Sequence, residues 1–362
     1  MKFIFWQNIL SIHQSVFIRN LANQHNVYLV VDEGLDATRV RHGWTIPDFG
    51  KTEVIIKPKE EEIKELLAIK DVVNIFTGID SFPLPARIFK IAITQKLKIG
   101  VILEPFNTLG LKGKLRSIKY KLLAFQYRNK IDFILAISDN AVRCYNKVGF
   151  NSKTIFDWAY FTEKGPTFKV VKSKRDKPKL LFVGSIDVRK NILPTVKEIL
   201  HLEDKIDSFE IVGVGPLENE LKGLIEKSGK IKYLGGIPNQ LISKKIADAD
   251  LLILPSIFDG WGAVVNEALQ VGTPVLVSKS SGASCLINEE RGRVFSNQSN
   301  NFREILNNYL EELPINESHR ISIINWANES ISAKTNSKYF IDIIENVYHN
   351  SKKPIASWFS NN

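Results

Sequence analysis

The sequence predicts an α/β protein of two doubly wound, Rossmann-like parallel-sheet domains facing a central cleft. Short β-branched runs alternate with helical stretches from end to end, the pattern of strands joined by crossover helices. In the second half four successive strands each run into a Gly-bearing turn. One break in composition, EKGPTFKVVKSKRDKPK at residues 163–179, is rich in lysine and proline and reads as a linker.

The elements follow in order. Lys2–Trp6 reads as a strand, Ser15–Gln24 as a helix and Val27–Val31 as the second strand. Ile63–Ile69 reads as helix, Val72–Thr77 and Lys98–Leu103 as strands, and Lys112 to about Lys130 as a long basic helix. Phe133–Ser138 is a strand and Asp139–Val148 a helix. After the linker come strands at Leu181–Val183, Phe209–Val212, Ile231–Leu234, Leu251–Leu254 and Pro274–Val277. This divides the chain into a first domain over 1–162, the linker 163–179, a second domain over 180–336, and a C-terminal segment over 337–362. That segment has an apolar stripe of Phe340, Ile343, Ile344 and Val347, with Trp358 beyond it. The stripe alone shows packing.

The 362 residues suit about two domains, and 44% hydrophobic residues suffice for two cores. A net charge of +10 suits an anionic partner such as nucleotide phosphates, nucleic acid or an acidic membrane surface. Helix-turn-helix, RNP-like and zinc-finger signatures are all lacking, so nucleic acid is set aside. Two distant cysteines, Cys144 and Cys285, argue against a disulfide framework or zinc site and for a reducing cytosol. No apolar run approaches the length of a spanning helix, and MKFIFWQNIL reads as a first strand, not a signal peptide.

The chemistry concentrates in PSIFDGWGAVVNEALQVGTP, Pro255 to Pro274. A buried strand ends there, the turn Asp259-Gly260-Trp261-Gly262 follows, and a helix begins at about Ala263. Orphan N–H groups and the macrodipole at such a start favour an anion. Asp259 and Glu267 add two acids, and Glu267 lies about one turn into the helix, in reach of a ribose hydroxyl. Upstream, Gly184, Ser185, Arg189 and Lys190 occupy a strand–helix loop that either aims cations at a diphosphate or is simply solvated. Ile211-Val212-Gly213-Val214-Gly215-Pro216 and Tyr233-Leu234-Gly235-Gly236-Ile237-Pro238 are further strand ends, each a ligand contact or a plain tight turn. Together, in chain order, they fit a nucleotide lying across one sheet edge.

On these residues the second half resembles the donor domain of GT-B fold glycosyltransferases, specifically the retaining glycosyltransferase family 4. That pattern has a glycine, usually an arginine, then a lysine before the first helix, a G-x-G-P turn, and an acid-x7-acid segment followed by G-x-P-V. The chain supplies Gly184 and Lys190, then Gly213, Gly215 and Pro216, then Asp259, Glu267, Gly272, Thr273, Pro274 and Val275. Matching residues run from about Leu180 to Cys285. Ser185 stands where arginine is usual, and Asp259 where glutamate is usual.

The resemblance implies a role for each group. Gly260, Trp261, Gly262 and Ala263 would offer N–H groups to the diphosphate, with Gly184, Ser185, Arg189, Gly213, Gly236 and Ile237 lining the donor nucleotide. Glu267 would hold the ribose and Asp259 the donor sugar's hydroxyls. Lys190 would neutralise charge on the departing nucleoside diphosphate, where electrostatic preorganisation counts most. No Asp-x-Asp stands at a strand end, so no metal and no cofactor are expected.

In the first half, Gln7 to Gln14 reads as a loop between the first strand and the first helix. His13 is a candidate catalytic group there or a capping residue, with Ser11 and Gln14 beside it on the acceptor side. Glu104 and Asn107, after a later strand, are further acceptor-side candidates. Leu111–Lys130 carries Lys112, Lys114, Arg116, Lys119, Lys121, Arg128 and Lys130 among leucines and aromatics. This is the pattern of a helix lying on an anionic bilayer, or of one whose apolar side meets the core. By resemblance the C-terminal segment crosses back to the first domain.

The expected activity is transfer of a sugar, with retention, from a nucleoside-diphosphate sugar (UDP favoured, GDP possible) to a saccharide or lipid-linked acceptor. The expected setting is surface polysaccharide or glycolipid assembly in the cytoplasm, peripheral on the inner face of the plasma membrane. A nucleotide-sugar epimerase or hydrolase on the same fold, and a silent nucleotide-sugar binding subunit, are the alternatives.

Overall fold

A computed structural model describes residues 1–35, 46–163, 176–297 and 301–360. Most of the expected linker, residues 164–175, lies outside them. The chain divides into two compact units, Met1–Thr162 with Ala333–Ser360, and Glu163–Ser332.

The first unit holds seven parallel strands: β1 (Lys2–Gln7), β2 (Asn26–Val31), β3 (Glu53–Ile56), β4 (Val72–Thr77), β5 (Lys98–Leu103), β6 (Phe133–Ile137) and β7 (Ile155–Trp158). Their order is β3-β2-β1-β4-β5-β6-β7. Between them run α1 (Ile12–Leu21), α2 (Glu60–Leu67), α3 (Pro83–Thr94), α4 (Gly110–Tyr127) and α5 (Ser138–Val148). The central strands are buried on both faces, which is why they read as unbroken apolar runs.

Helix α1 begins three residues earlier than the sequence suggested, because the Ser11 side chain accepts from the His13 N–H and caps it. His13 and Gln14 therefore sit in the first turn of a helix, not in a loop. In α4 the core side is made of Gly113, Tyr120, Ala124 and Tyr127. A Cβ on Gly113 would fall 2.1 Å from the Thr108 carbonyl carbon, Tyr120 stacks on Phe106 at 4.5 Å, and Tyr127 meets Phe89 edge-on at 5.2 Å. Leu123 packs partly against the core, whereas Leu111, Leu115 and Leu122 lie on the other side and are exposed.

The second unit holds six parallel strands, β8 (Lys179–Val183), β9 (Ser208–Val212), β10 (Ile231–Gly235), β11 (Leu251–Leu254), β12 (Val275–Ser278) and β13 (Gly292–Phe295), ordered β10-β9-β8-β11-β12-β13. Its helices are α6 (Ile192–Leu200), α7 (Glu218–Ile225), α8 (Asn239–Asp248), α9 (Val264–Gln270), α10 (Phe302–Leu310) and α11 (Glu317–Ser330). Both sheets are thus doubly wound, as expected. Strands β3, β7 and β13 were not expected, and each is a four-residue strand at a sheet edge.

The chain then returns to the first unit in α12 (Ala333–His349) and α13 (Ser357–Ser360). Phe340 of α12 is fully buried among Phe3, Phe5, Phe17, Phe133 and Trp158, with ring centroids 5.3–6.4 Å apart.

Candidate active site

The second sheet reverses its winding between β8 and β11, adjacent in space although β9 and β10 separate them in sequence. In such sheets ligands bind outside the carboxyl ends of the strands at this switch point. The loops leaving β10, β9, β8 and β11 are those with Gly turns, and these four strands are consecutive neighbours.

The β8 loop is folded by Asp187. Its carboxylate accepts from the Lys190 N–H at 2.8 Å and from Ser185 Oγ at 2.7 Å, shaping a single 3-10 turn over Val188–Lys190. The turn aims Lys190 inward, where its Nζ donates to Asp259 Oδ2 at 2.5 Å. Both side chains are almost buried, at 12% and 11% exposure. Arg189 Nη1 stands 3.7 Å from the same oxygen but is half exposed, and Ser256 Oγ is a distant donor at 3.4 Å. An ammonium and a carboxylate so shielded hold each other's charge, and removing either strands the other.

The β11 loop is anchored by Trp261. The indole is buried, its Nε1 donates to Asn266 at 2.7 Å, and its carbonyl accepts from Ser281 Oγ and the Ala283 N–H, both at 2.7 Å. The ring therefore packs inside the protein. The N–H groups of Gly260, Trp261, Gly262 and Ala263 make no backbone hydrogen bond among the described residues. Gly262 has φ +97°, and a Cβ there would sit 2.6 Å from Leu254 Cδ2.

Glu267, four residues into α9, is half-buried, and its carboxyl has no hydrogen-bond or ion-pair partner among the described residues. Burial pushes its pKa up to about 7. A carboxyl held this way lacks a donor, and a ligand hydroxyl would supply one.

The other two loops are laddered onto the first. Gly184 N–H donates to Val212 O, Ile186 N–H to Val214 O, and Gly213 N–H to Gly235 O, at 2.9–3.0 Å. Gly213 has φ +139°, and a Cβ on it would lie 1.8 Å from the Gly184 carbonyl oxygen. The neighbouring loop by itself therefore requires a glycine here. Gly236 is exposed and Ile237 half-buried at the outer end of this row. Gly184, Ser185, Arg189, Lys190, Asp259 and Gly262 are brought together, while Gly236 and Ile237 lie two strands away.

In the first unit, the ring of His13 lies 5.4 Å from that of Tyr160. The Tyr160 hydroxyl donates to the Glu104 carboxylate, and Tyr145 OH donates to the Glu104 carbonyl at 2.7 Å. Gln14 is buried and accepts from Gln7 at 2.7 Å. Asn107 accepts from the Leu109 N–H at 2.9 Å, which ties its oxygen to its own loop. Sequence reading missed Ser138, at the end of β6. It is buried with φ +81°, and its Oγ has no partner among the described residues. Such strain in a non-glycine residue persists only where its surroundings enforce it. Tyr160 was also missed, because it follows an edge strand with no clear pattern. Asp187 was readable as a cap three residues before Lys190.

Residues 164–330 match the model of the family Glycosyl transferases group 1. This stretch is similar to a group 1 glycosyl transferase domain. An uncharacterized glycosyltransferase of Methanocaldococcus jannaschii is 29% identical over 119 residues, 32% of this chain and 30% of that protein. The UDP-Gal:alpha-D-GlcNAc-diphosphoundecaprenol alpha-1,3-galactosyltransferase of Escherichia coli is 31% identical over 133 residues, 34% of this chain and 33% of that one. The chain thus spans about a third of the length of these curated relatives. A solved structure of Anabaena HepE in complex with UDP superposes with a TM-score of 0.69 at 14% identity, covering 96% of this chain and 100% of that one. This likeness reaches beyond the group 1 domain into the first unit and gives the chain the GT-B fold of glycosyltransferases. Every group around the Lys190–Asp259 pair belongs to the group 1 domain.

Proposed function

We propose that the chain is a retaining glycosyltransferase of family 4 type. It moves a sugar from a nucleoside-diphosphate sugar, UDP-linked by preference, to a hydroxyl of a saccharide or lipid-linked acceptor in cytoplasmic assembly of surface polysaccharide or glycolipid. The observation that carries this reading is the Lys190–Asp259 pair at the sheet's switch point, beside Arg189 and a row of unbonded N–H groups. The UDP complex of HepE and the UDP-Gal donor in the name of the E. coli relative support the choice of nucleotide.

When a donor enters, its diphosphate competes with Asp259 for Lys190. The freed carboxylate then accepts from hydroxyls of the donor sugar, and Glu267 accepts from the ribose. The anomeric C–O bond breaks, its electron pair goes to the β-phosphate oxygen, and Lys190 and Arg189 balance the charge appearing there. The acceptor oxygen bonds the anomeric carbon from the side the leaving group vacates, and its proton passes to the departing phosphate. In the first unit, His13 is assigned as a catalytic group at the reacting sugar, and Ser11, Gln14, Glu104 and Asn107 are assigned to the acceptor. With two cations at the phosphates, turnover is expected to survive EDTA.

The test is turnover and thermal shift against UDP-, GDP-, ADP- and dTDP-sugars, with Glu267→Ala as the control. That variant should bind the donor more weakly. Unchanged donor binding would remove the assignment, and release of free sugar with acceptor present would argue against transfer.

A further inference from the structure

Helix α4 has an apolar surface it does not need for its own packing. Its core face is Gly113, Tyr120, Ala124 and Tyr127, yet Leu111, Leu115, Ile118, Leu122 and Phe125 are 55–81% exposed. At about 100° per residue those five positions fall within roughly 80° of arc, directly opposite the core face. The result is a straight ridge about 21 Å long. A soluble surface rarely leaves so continuous an apolar strip to water.

Charge frames the ridge. Lys112 and Lys119 lie on one flank and Lys114, Lys121 and Arg128 on the other, roughly 60–100° from its crest. The sequence has no acid between Glu104 and Asp132. Among the described residues, Asp80 reaches this helix from elsewhere and pairs with Lys119 at 2.8 Å. A second copy laid along the ridge would press one cationic flank against another, and like charges resist that. No helix among the described residues is long and apolar enough to cross a membrane.

We propose that α4 docks the protein on an anionic lipid bilayer. It lies in the plane of the interface with the Leu111–Phe125 ridge among the acyl chains and both lysine flanks at the headgroup phosphates. The arrangement does not depend on sugar transfer, and vesicle binding is read with neither donor nor acceptor present.

The full chain is sedimented with vesicles of phosphatidylcholine alone and of phosphatidylcholine with phosphatidylglycerol, at low and high salt. The parent should be retained by the anionic vesicles at low salt, at least roughly tenfold better than by the neutral ones. The triple variant Leu115→Ser, Ile118→Ser, Leu122→Ser leaves the charge unchanged and should lose that retention. Should the triple variant fail to fold, Leu122→Trp decides, since its emission should shift to the blue on anionic vesicles. Three results would each overturn the proposal: no retention of the parent, undiminished retention of the triple variant, or an unshifted Leu122→Trp emission. A vesicle-free dimer that the serine substitutions dissociate would do so too, because a second copy would then cover the ridge.

Discussion

Lys190 and Asp259 are each other's counter-charge, and on the proposed reading a diphosphate competes for Lys190, so their substitutions should not add. Lys190→Ala should lower kcat by roughly 10²–10³, as expected for one lost transition-state donor. Asp259→Asn should lower turnover more than nucleotide affinity. The double variant should be less impaired than the product of the two, because each single change strands a nearly buried charge. A full double-mutant cycle on kcat/KM measures this, and strict additivity would mean the pair is not functional as a unit. Glu267 carries the pH dependence. Its pKa rises from 4.5 to about 7 on burial, so the folded chain favours the neutral acid and loses stability as pH climbs through that window. Glu267→Gln should therefore melt above the parent at pH near 8 and close to it at pH near 4.5. Donor hydroxyls favour the ionised acid, the opposite preference. Nucleotide affinity should fall by up to about tenfold from pH 8 to pH 6, and Glu267→Gln should flatten the titration. Calorimetry in buffers of different ionisation enthalpy would show a proton released on binding near pH 7.

At the scale of elements, the four loops at the carboxyl ends of β10, β9, β8 and β11 form one surface because their backbones bond to each other. Gly213→Ala places a methyl group on the Gly184 carbonyl oxygen and forces φ +139° on an L side chain. It should destabilise the chain by about 2 kcal/mol or more in denaturant unfolding and weaken nucleotide binding together with it. A variant as stable as the parent would show that the loops move apart freely. The alternation of strands and helices was legible because central strands, buried on both faces, leave unbroken apolar runs. β3, β7 and β13 were illegible for the complementary reason: each is a four-residue edge strand, and Glu53–Ile56 is exposed at both ends. Within the site, the turn residues were readable as contiguous motifs. The Lys190–Asp259 contact spans 69 positions, so the local motifs named each partner separately and neither they nor the resemblance paired the two. The isolation of Glu267 and the strain at Ser138 leave no trace in sequence at all. For α4, periodicity showed an apolar face, but two such faces exist, and which one meets the core depends on Phe106 and Phe89.

At the scale of the whole molecule, the first unit is assembled from both ends of the chain. Phe340 fills the space among five aromatic residues of the N-terminal part, so Phe340→Ala should cost about 3–5 kcal/mol, read as an early unfolding of the first unit. The group 1 domain has its own core and should keep its thermal shift with nucleotide in that variant. Loss of both together would show that the units unfold as one. The same connectivity governs the order of events on the ribosome. Trp158 emerges about 180 residues before Phe340, roughly 10–40 s at ordinary rates of synthesis. During that interval the second unit is made, its last helix α11 ending only ten residues before Phe340, while the N-terminal sheet still lacks the side chain that completes its aromatic cluster. Nascent chains usually fold from the front. Here the two units are completed almost together, because the first cannot close its aromatic cluster until α12 has followed the whole second unit off the ribosome.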